Sequence, residues 1–299
     1  MLAIARYAMK SPFHAATVAG ILAILSLFIP LVSVLSGAIV GLIILTQGLV
    51  AGLRVVLVSI AGVTLVGYLL IQSPLTGVAI GLVQWLPVML LAEVWRRSRS
   101  MALMLLTGAV LSLLVVVVQY LLWPDSDKTW MDMIRPMFQV DALAEADRAR
   151  IDDVLSALAY WMKIVLVAVM YSTYAATLLA ARWLQARLAG SDGYREEFLA
   201  LRLGRMAALA ALLLTVAAVL LRQDWLLSML MVALAAFLYQ GLAVLHRWAG
   251  LGKRGWALFA VYVLMLIFPQ VVAAVAALGV IDNWANFRAY LKPPSKTDE

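Results

Sequence analysis

The chain has 299 residues, of which 65% are hydrophobic and 13% charged, with a formal net charge of +7 and no cysteine. A water-soluble domain of this size cannot cover so much apolar surface with polar groups, whereas a lipid bilayer removes that requirement. The lack of cysteine excludes disulfides, thiolate catalysis and cysteine-based metal sites. The composition therefore predicts an all-α, polytopic transmembrane helical bundle.

Apolar stretches recur along the chain at about the length needed to cross ~30 Å of hydrocarbon. We predict nine spans, with eight as the alternative, in a single integral membrane domain over residues 1–299. The predicted spans are 13–33, 35–52, 55–72, 74–94, 101–123, 156–180, 206–221, 225–245 and 257–279. Since span follows span, the first apolar run is not a removed signal peptide ahead of a soluble protein.

The placement of charge predicts the orientation of the chain. With the N-terminus in the cytoplasm, the inner segments hold fourteen Lys or Arg residues against four Asp or Glu, and the outer segment 124–155 holds eight acids against four bases. Short cytoplasmic loops are rich in Lys and Arg. We therefore expect a multi-pass protein of the bacterial cytoplasmic (inner) membrane with a cytoplasmic N-terminus, and no nucleic-acid partner. The tail with Lys292 and Lys296 lies outside with nine spans and inside with eight.

Two segments between spans are predicted to contain helices. The acidic loop 124–155 has apolar residues spaced among charges from Asp141 onward, so its helix either lies on the membrane surface or extends the sixth span outward. Lys163, in the outer part of that span, is expected to snorkel or to meet an acid of the loop. The cytoplasmic segment 188–205 is predicted to be an amphipathic linker. Its arginines Arg195 and Arg202 are alternatively a docking site for a partner.

Small residues at a spacing of four predict close contacts between helices. Ala15, Ala19 and Ala23 form such a stripe on the first span. One interpretation is internal packing of the bundle. The other is a docking face for another membrane protein.

Neutral polar side chains at membrane depth are the candidates for a binding site, because an unpaired polar group in hydrocarbon costs several kcal/mol. They occur on five spans and include a glutamine next to a tryptophan. We expect Gln240 to turn inward toward the fourth or ninth span and Tyr239 to anchor near the inner interface. The predicted substrate-binding residues are Gln47, Gln84, Trp85, Tyr174, Gln240 and Gln270. The alternative for any one of them is a hydrogen bond that joins helices.

Several classes of function have no basis in the sequence. No carboxylate lies at the centre of a predicted span, which disfavours a carboxylate-based ion pump. The motifs G-x-x-x-x-G-K-[ST], H-E-x-x-H and G-x-S-x-G are all absent. We therefore predict no enzyme, no catalytic residue, no cofactor and no metal site.

Five stretches carry a resemblance to a known family: "FIPLVSVLSGAIVGLIILTQGLVAGLR" (28–54), "FLALRLGR" (198–205), "FLYQGLAVLHRW" (237–248), "FPQ" (268–270) and "GVIDNWANFRAYL" (279–291). Together they resemble the YybS-like family of uncharacterised bacterial membrane proteins. That family is distantly similar to the substrate-binding S components of energy-coupling factor transporters. The resemblance implies an S-component-like core with additional helices and, as partner, a transmembrane coupling subunit with ATPases. In S components an alanine stripe on the first helix contacts that subunit, and Ala15, Ala19 and Ala23 match such a stripe.

Two functions remain after these observations. The first is a membrane transport protein, or an S-component-like substrate-binding subunit, for a small neutral or weakly polar solute. The alternative is a non-transporting scaffold or assembly factor that acts through its basic cytoplasmic face. The first predicts that the polar groups surround an enclosed space, and the second predicts a filled core.

Overall fold

The computed structural model describes residues 1–138, 145–251 and 255–290. Helices make up 89% of the structure, and none of the described residues lies in a strand. The helices are α1 Leu2–Ala8, α2 Pro12–Leu25, α3 Val32–Gln47, α4 Leu49–Ile71, α5 Pro74–Ser98, α6 Met101–Leu122, α7 Ser126–Ile134, α8 Glu145–Leu188, α9 Gly193–Leu199, α10 Arg205–Leu221, α11 Asp224–Leu251, α12 Gly255–Ile267, α13 Pro269–Ala285 and α14 Phe287–Tyr290.

Among the described residues, five helices are long and apolar enough to cross a membrane. The qualifying segments are Leu49–Leu69, Pro74–Ser98, Met101–Leu122, Asp147–Leu188 and Asp224–Gly250. The helices α2, α3, α10, α12 and α13 are apolar but shorter. The predicted all-helical architecture with several membrane-length helices is confirmed. The count of eight or nine spans, the membrane and the orientation stay predictions.

The local sequence explains several helix starts. Ser11 caps α2, since its hydroxyl accepts a hydrogen bond from the His14 N–H at 3.3 Å, and Pro12 follows as the first helical residue. Pro74 and Pro269 are likewise the first residues of α5 and α13, although neither helix has a side-chain cap. Proline is favoured there because the N–H that it lacks would have no partner inside the helix.

Two predicted spans are interrupted in the structure. The prediction of 35–52 is wrong because α3 ends at Gln47 and Gly48 has a φ of 92°, which glycine adopts readily because it has no Cβ. The prediction of 257–279 is wrong because Phe268 is extended, with φ −122° and ψ 101°, and separates α12 from α13. Pro269 is the cause, since a proline disfavours helical geometry in the residue before it.

The acidic loop contains more helix than a connector needs. α7 and a short 3-10 helix, Arg135–Phe138, occupy part of it, and α8 begins at Glu145. α8 is 44 residues long, so its first turns extend the predicted sixth span outward, which was one of the two alternatives. Asp141, where the predicted helix begins, and the tail residues Lys292 and Lys296 lie outside the described residues.

Helix contacts divide the chain into two compact units. Unit 1 comprises Met1–Gly108 and Ser172–Arg202, and unit 2 comprises Ala109–Tyr171 and Leu203–Glu299. In unit 1, α2 packs on α3 and α4, and α3 and α4 both pack on α5. In unit 2, α10 and α12 each pack on α11 and α13, which pack on each other. The single integral membrane domain stays a prediction.

The alanine stripe of α2 is buried inside unit 1. Ala15, Ala19 and Ala23 are at most 1% exposed. Ser36 on α3 donates its hydroxyl to the Ala19 carbonyl oxygen at 2.7 Å, which requires the close approach that short side chains allow. This corrects the prediction that the three alanines dock another protein, because the stripe has no free face. Internal packing accounts for it.

Two glycines bring α11 and α13 together in unit 2. A Cβ added to Gly279 would overlap the carbonyl oxygen of Phe237, and one added to Gly241 would overlap that of Val275. Since the order of these contacts is reversed between the helices, α11 and α13 run antiparallel. The contact lies between backbones, so no side-chain movement can make room for a larger residue at either position.

Candidate functional site

Three of the six predicted binding residues form hydrogen bonds between helices of unit 1. Gln84 Nε2 donates to a backbone carbonyl of α3 at 3.3 Å, and Trp85 Nε1 donates to Ser36 Oγ at 3.1 Å. Tyr174, on α8, donates its hydroxyl to the Val83 carbonyl oxygen of α5 at 2.7 Å. These contacts correspond to the alternative in which the polar groups join helices.

Two further predicted residues lie in unit 2. Gln240 is fully buried, its Oε1 accepts from the Leu203 N–H at 2.9 Å, and its Nε2 donates to Asp282 Oδ2 at 3.2 Å. Gln240 therefore turns inward toward α13. Tyr239 is also buried, which places it away from an exposed interfacial position. Gln270 is exposed in the first turn of α13.

Gln47, the sixth predicted residue, lines a cavity of about 470 Å³ in unit 1. The cavity lies at the C-terminal ends of α3 and α5, beside the last turns of α8 and next to α9. We call it the basic cavity, because three arginines and one glutamate contribute to its wall. Its lining includes Thr46, Gln47, Trp95, Arg96, Arg99, Arg182, Gln185 and Glu197.

Left-handed residues at two helix ends shape the basic cavity. Gly48 ends α3 with a φ of 92°, and Arg99 ends α5 with a φ of 53°. The Arg96 guanidinium lies against Gly48, since a Cβ added to Gly48 would be 3.8 Å from Arg96 Cζ. A cation at the C-terminus of a helix is stabilised by the partial negative charge of the terminal carbonyls. Attraction between the Arg96 guanidinium and the terminal carbonyls of α3 therefore adds to the packing between the ends of α3 and α5.

A carboxylate from α9 reaches the wall of the basic cavity. Glu197 Oε1 accepts from the indole Nε1 of Trp95 at 2.7 Å, and Oε2 accepts from Arg182 Nε at 3.0 Å. Arg182 Nη1 also donates to Gln185 Oε1 at 3.3 Å, and Gln185 Nε2 donates to the Leu45 carbonyl oxygen at 3.1 Å. This chain of hydrogen bonds connects α9, α5, α8 and the end of α3, and it orients the Arg182 guanidinium.

A second carboxylate, that of Glu93, forms ion pairs with two arginines near the end of α5. Glu93 is 8% exposed and receives two hydrogen bonds of 2.7 Å from Arg96, through Nε and Nη2. Arg97 also pairs with Glu93. Two-point contacts of this kind fix the guanidinium plane as well as neutralising charge. Arg96 therefore presents to the basic cavity a side chain that is already held.

The two arginines predicted to dock a partner lie on the segment that contains α9. Arg195 is in α9, Arg202 follows it, and both are exposed. Neither belongs to the lining of the basic cavity. They therefore stay candidates for contact with another molecule.

A buried lysine organises a polar cluster in unit 2. Lys163 Nζ lies 3.1 Å from Asp224 Oδ2 and 3.9 Å from Asp127 Oδ1, which belongs to the acidic loop. Tyr160 donates its hydroxyl to Asp224 Oδ1 at 3.1 Å. The expectation that Lys163 meets an acid of the loop is confirmed. Its strongest partner is Asp224, at the start of α11, which the sequence spacing did not indicate.

The two sides of this ion pair are expected to respond differently to substitution. Asp224→Ala leaves the buried ammonium with the more distant Asp127 as its acidic partner, so we expect a loss of about 1–3 kcal/mol in unfolding free energy. Lys163→Met replaces the charge with an apolar chain and leaves Asp224 partly solvated, so its loss is expected to be smaller. Melting temperatures (Tm) in detergent measure both, with the exposed Asp125→Ala as control. Equal losses for the two variants would contradict the asymmetry.

The structure contains a buried carboxylate that the predicted spans miss. Asp282 is fully buried in α13, and its Oδ2 lies 3.3 Å from Arg288 Nε, which is also buried. Asn283, the next residue, accepts from the Gly204 N–H through Oδ1 at 3.2 Å. The predicted ninth span ends at 279, so it excludes both residues. The signal in the sequence is an acid followed six residues later by a base around the end of an apolar segment.

No family model, curated protein or solved structure matches this chain.

Proposed function

We propose that the protein is a membrane transport protein, or the substrate-binding subunit of a transporter, that holds a small polar solute in the basic cavity. The observation that carries the proposal is a cavity of about 470 Å³ beside membrane-length helices, lined mostly by polar side chains. Sites for small ligands commonly have this size. The charged wall favours a polar solute over an apolar one.

The proposal includes a setting in the bacterial cytoplasmic membrane with the N-terminus inside. The resemblance to the YybS-like family, and through it to S components, supports a transmembrane coupling subunit with ATPases as a partner. In this proposal the coupling subunit docks on a face other than the alanine stripe, because Ala15, Ala19 and Ala23 are buried. The ends of α3 and α5 with Arg96 and Arg99 then lie on the cytoplasmic side, since positive charge concentrates there.

Ligand-induced stabilisation tests the proposal. The protein in nanodiscs is heated with each member of a library of polar metabolites, and a ligand at 100 times its dissociation constant (Kd) is expected to add about 2.7 kcal/mol to the unfolding free energy. Gln47→Ala is expected to weaken the binding of any ligand found, because Gln47 lines the basic cavity. Gln223→Ala, an exposed glutamine in a loop of unit 2, serves as control. A library without any stabilising member, or a hit unaffected by Gln47→Ala, contradicts the proposal.

The exposure of Arg195 and Arg202 favours one alternative, a scaffold or assembly factor. Crosslinking from these two positions distinguishes it from transport. Capture of one dominant partner, together with no stabilisation by any solute, favours the scaffold.

A further inference from the structure

The basic cavity already binds one carboxylate, that of Glu197. Both of its oxygens are used, one by the Trp95 indole N–H at 2.7 Å and one by Arg182 Nε at 3.0 Å. Hydrogen bonds between a charged donor and a carboxylate are among the strongest in proteins, and a guanidinium serves carboxylate and phosphate equally well. The donors that hold Glu197 are therefore suited to the anionic group of a small molecule.

The charges around the basic cavity are not balanced. Glu93 pairs with Arg96 and Arg97, and Glu197 pairs with Arg182. Arg99 also lines the cavity, and it makes no ion pair with any residue in the described part of the chain. A soluble anion that enters therefore meets an arginine whose charge is not neutralised. Its arrival at Arg182 then competes with Glu197.

The helix that supplies Glu197, α9, has no fully buried residue among its seven. The turn before it contains Gly190, with a φ of 66°, where the backbone adopts a conformation that favours glycine. Segments with few buried contacts open locally at low free-energy cost. Loss of the two hydrogen bonds to Glu197 therefore weakens the attachment of α9 to the ends of α5 and α8.

We propose that the basic cavity is an anion site, whose carboxylate- or phosphate-bearing ligand binds Arg99 and takes Arg182 and Trp95 from Glu197, which releases α9. This inference rests on the proposed function and specifies its solute as an anion. It also connects occupancy of the cavity to the position of Arg195, which lies on α9. A partner protein that distinguishes the occupied cavity from the empty one would contact this segment.

The test uses inorganic phosphate and succinate as probes, with the protein in phosphatidylcholine nanodiscs. Isothermal titration calorimetry gives the affinity, and hydrogen–deuterium exchange follows residues 193–200. In the wild type, at least one probe is expected to bind and to accelerate exchange in α9. A probe that binds without a change in this exchange, or that slows it, overturns the proposal.

Two variants separate the parts of the proposal. Glu197→Gln removes the internal competitor, so we expect the probe to bind about tenfold more tightly and α9 to exchange rapidly without any anion. Arg99→Gln removes a contact of the ligand alone, so affinity is expected to fall about tenfold while exchange in α9 without anion is unchanged. The exposed Arg150→Gln, with the same loss of charge, is the control. Unchanged affinity in Glu197→Gln and Arg99→Gln overturns the inference.

A second arm distinguishes a lipid headgroup from a soluble anion. Nanodiscs that contain phosphatidylglycerol are compared with pure phosphatidylcholine, without phosphate or succinate. If only phosphatidylglycerol releases α9, the anion site stands and the proposed solute function fails. If neutral metabolites bind through Gln47 and no anion does, the proposed function stands and the anion inference fails.

Discussion

Gly279→Ala is expected to prevent recovery of folded protein, or to lower its Tm more than any surface substitution. Its new Cβ would overlap the Phe237 carbonyl oxygen and lie 2.7 Å from the Gly241 backbone nitrogen. Overpacking typically costs about 1–3 kcal/mol when side chains can adjust. Here the obstructing atoms are backbone atoms of α11, so we expect the upper end of that range or more. α11 and α13 also pack extensively on each other.

Gly62→Ala is the matched control for this prediction. Gly62 lies in the interior of α4, and nothing lies within 4 Å of a Cβ added there. Alanine is a better helix former than glycine by about 1 kcal/mol, so Gly62→Ala is expected to be neutral or stabilising. Fluorescence-detected size-exclusion chromatography and Tm in the same detergent compare the two. If both variants behave alike, the close approach of α11 and α13 is wrong.

Asp282→Ala is expected to cost about 3–5 kcal/mol, because it leaves the buried Arg288 guanidinium without its carboxylate. It also removes the acceptor of the Gln240 amide, which is itself buried. The double variant Asp282→Leu with Arg288→Met is expected to recover much of this loss, since apolar residues often replace a buried ion pair at little cost. It is not expected to recover all of it, because the Gln240 amide stays unpaired.

Chemical and thermal unfolding of the single and double variants measure this coupling. Asp132→Ala, at an exposed position of α7, controls for the loss of a negative charge. A Tm of Asp282→Ala equal to that of the control would show that the pair contributes nothing to unit 2. A double variant less stable than Asp282→Ala would contradict the cost assigned to a guanidinium that loses its carboxylate.

The candidate site was predictable only in part. Gln47 was a predicted binding residue because an unpaired amide at membrane depth is costly, and it lines the basic cavity. The contacts of Glu197 were not predicted from the sequence, because Trp95 is 102 residues away in the chain and Arg182 is 15 residues away. No local periodicity relates a loop helix to the ends of α5 and α8. The contact depends on how α5, α8 and α9 pack in unit 1.

By itself the sequence determined the all-helical class of the protein and most of its helices. The excess of apolar residues predicts long apolar helices, and five of membrane length occur among the described residues. Pro12 and Pro74 lie at or next to the predicted starts of the first and fourth spans, where a missing N–H leaves no intrahelical hydrogen bond unmade. These effects act within a few residues, so they do not depend on the rest of the chain.

Only the tertiary structure decided how one repeated pattern is used. Leu-x-Gln-Gly-Leu occurs at 45–49 and again at 238–242. At the first, Gly48 takes a positive φ, α3 ends, and Gln47 faces the basic cavity. At the second, the helix continues because Gly241 lies against the α13 backbone and Gln240 finds two partners there and at Leu203. The same residues end a helix or pass through it according to what packs beside them: the Arg96 side chain lies against Gly48, whereas the α13 backbone lies against Gly241.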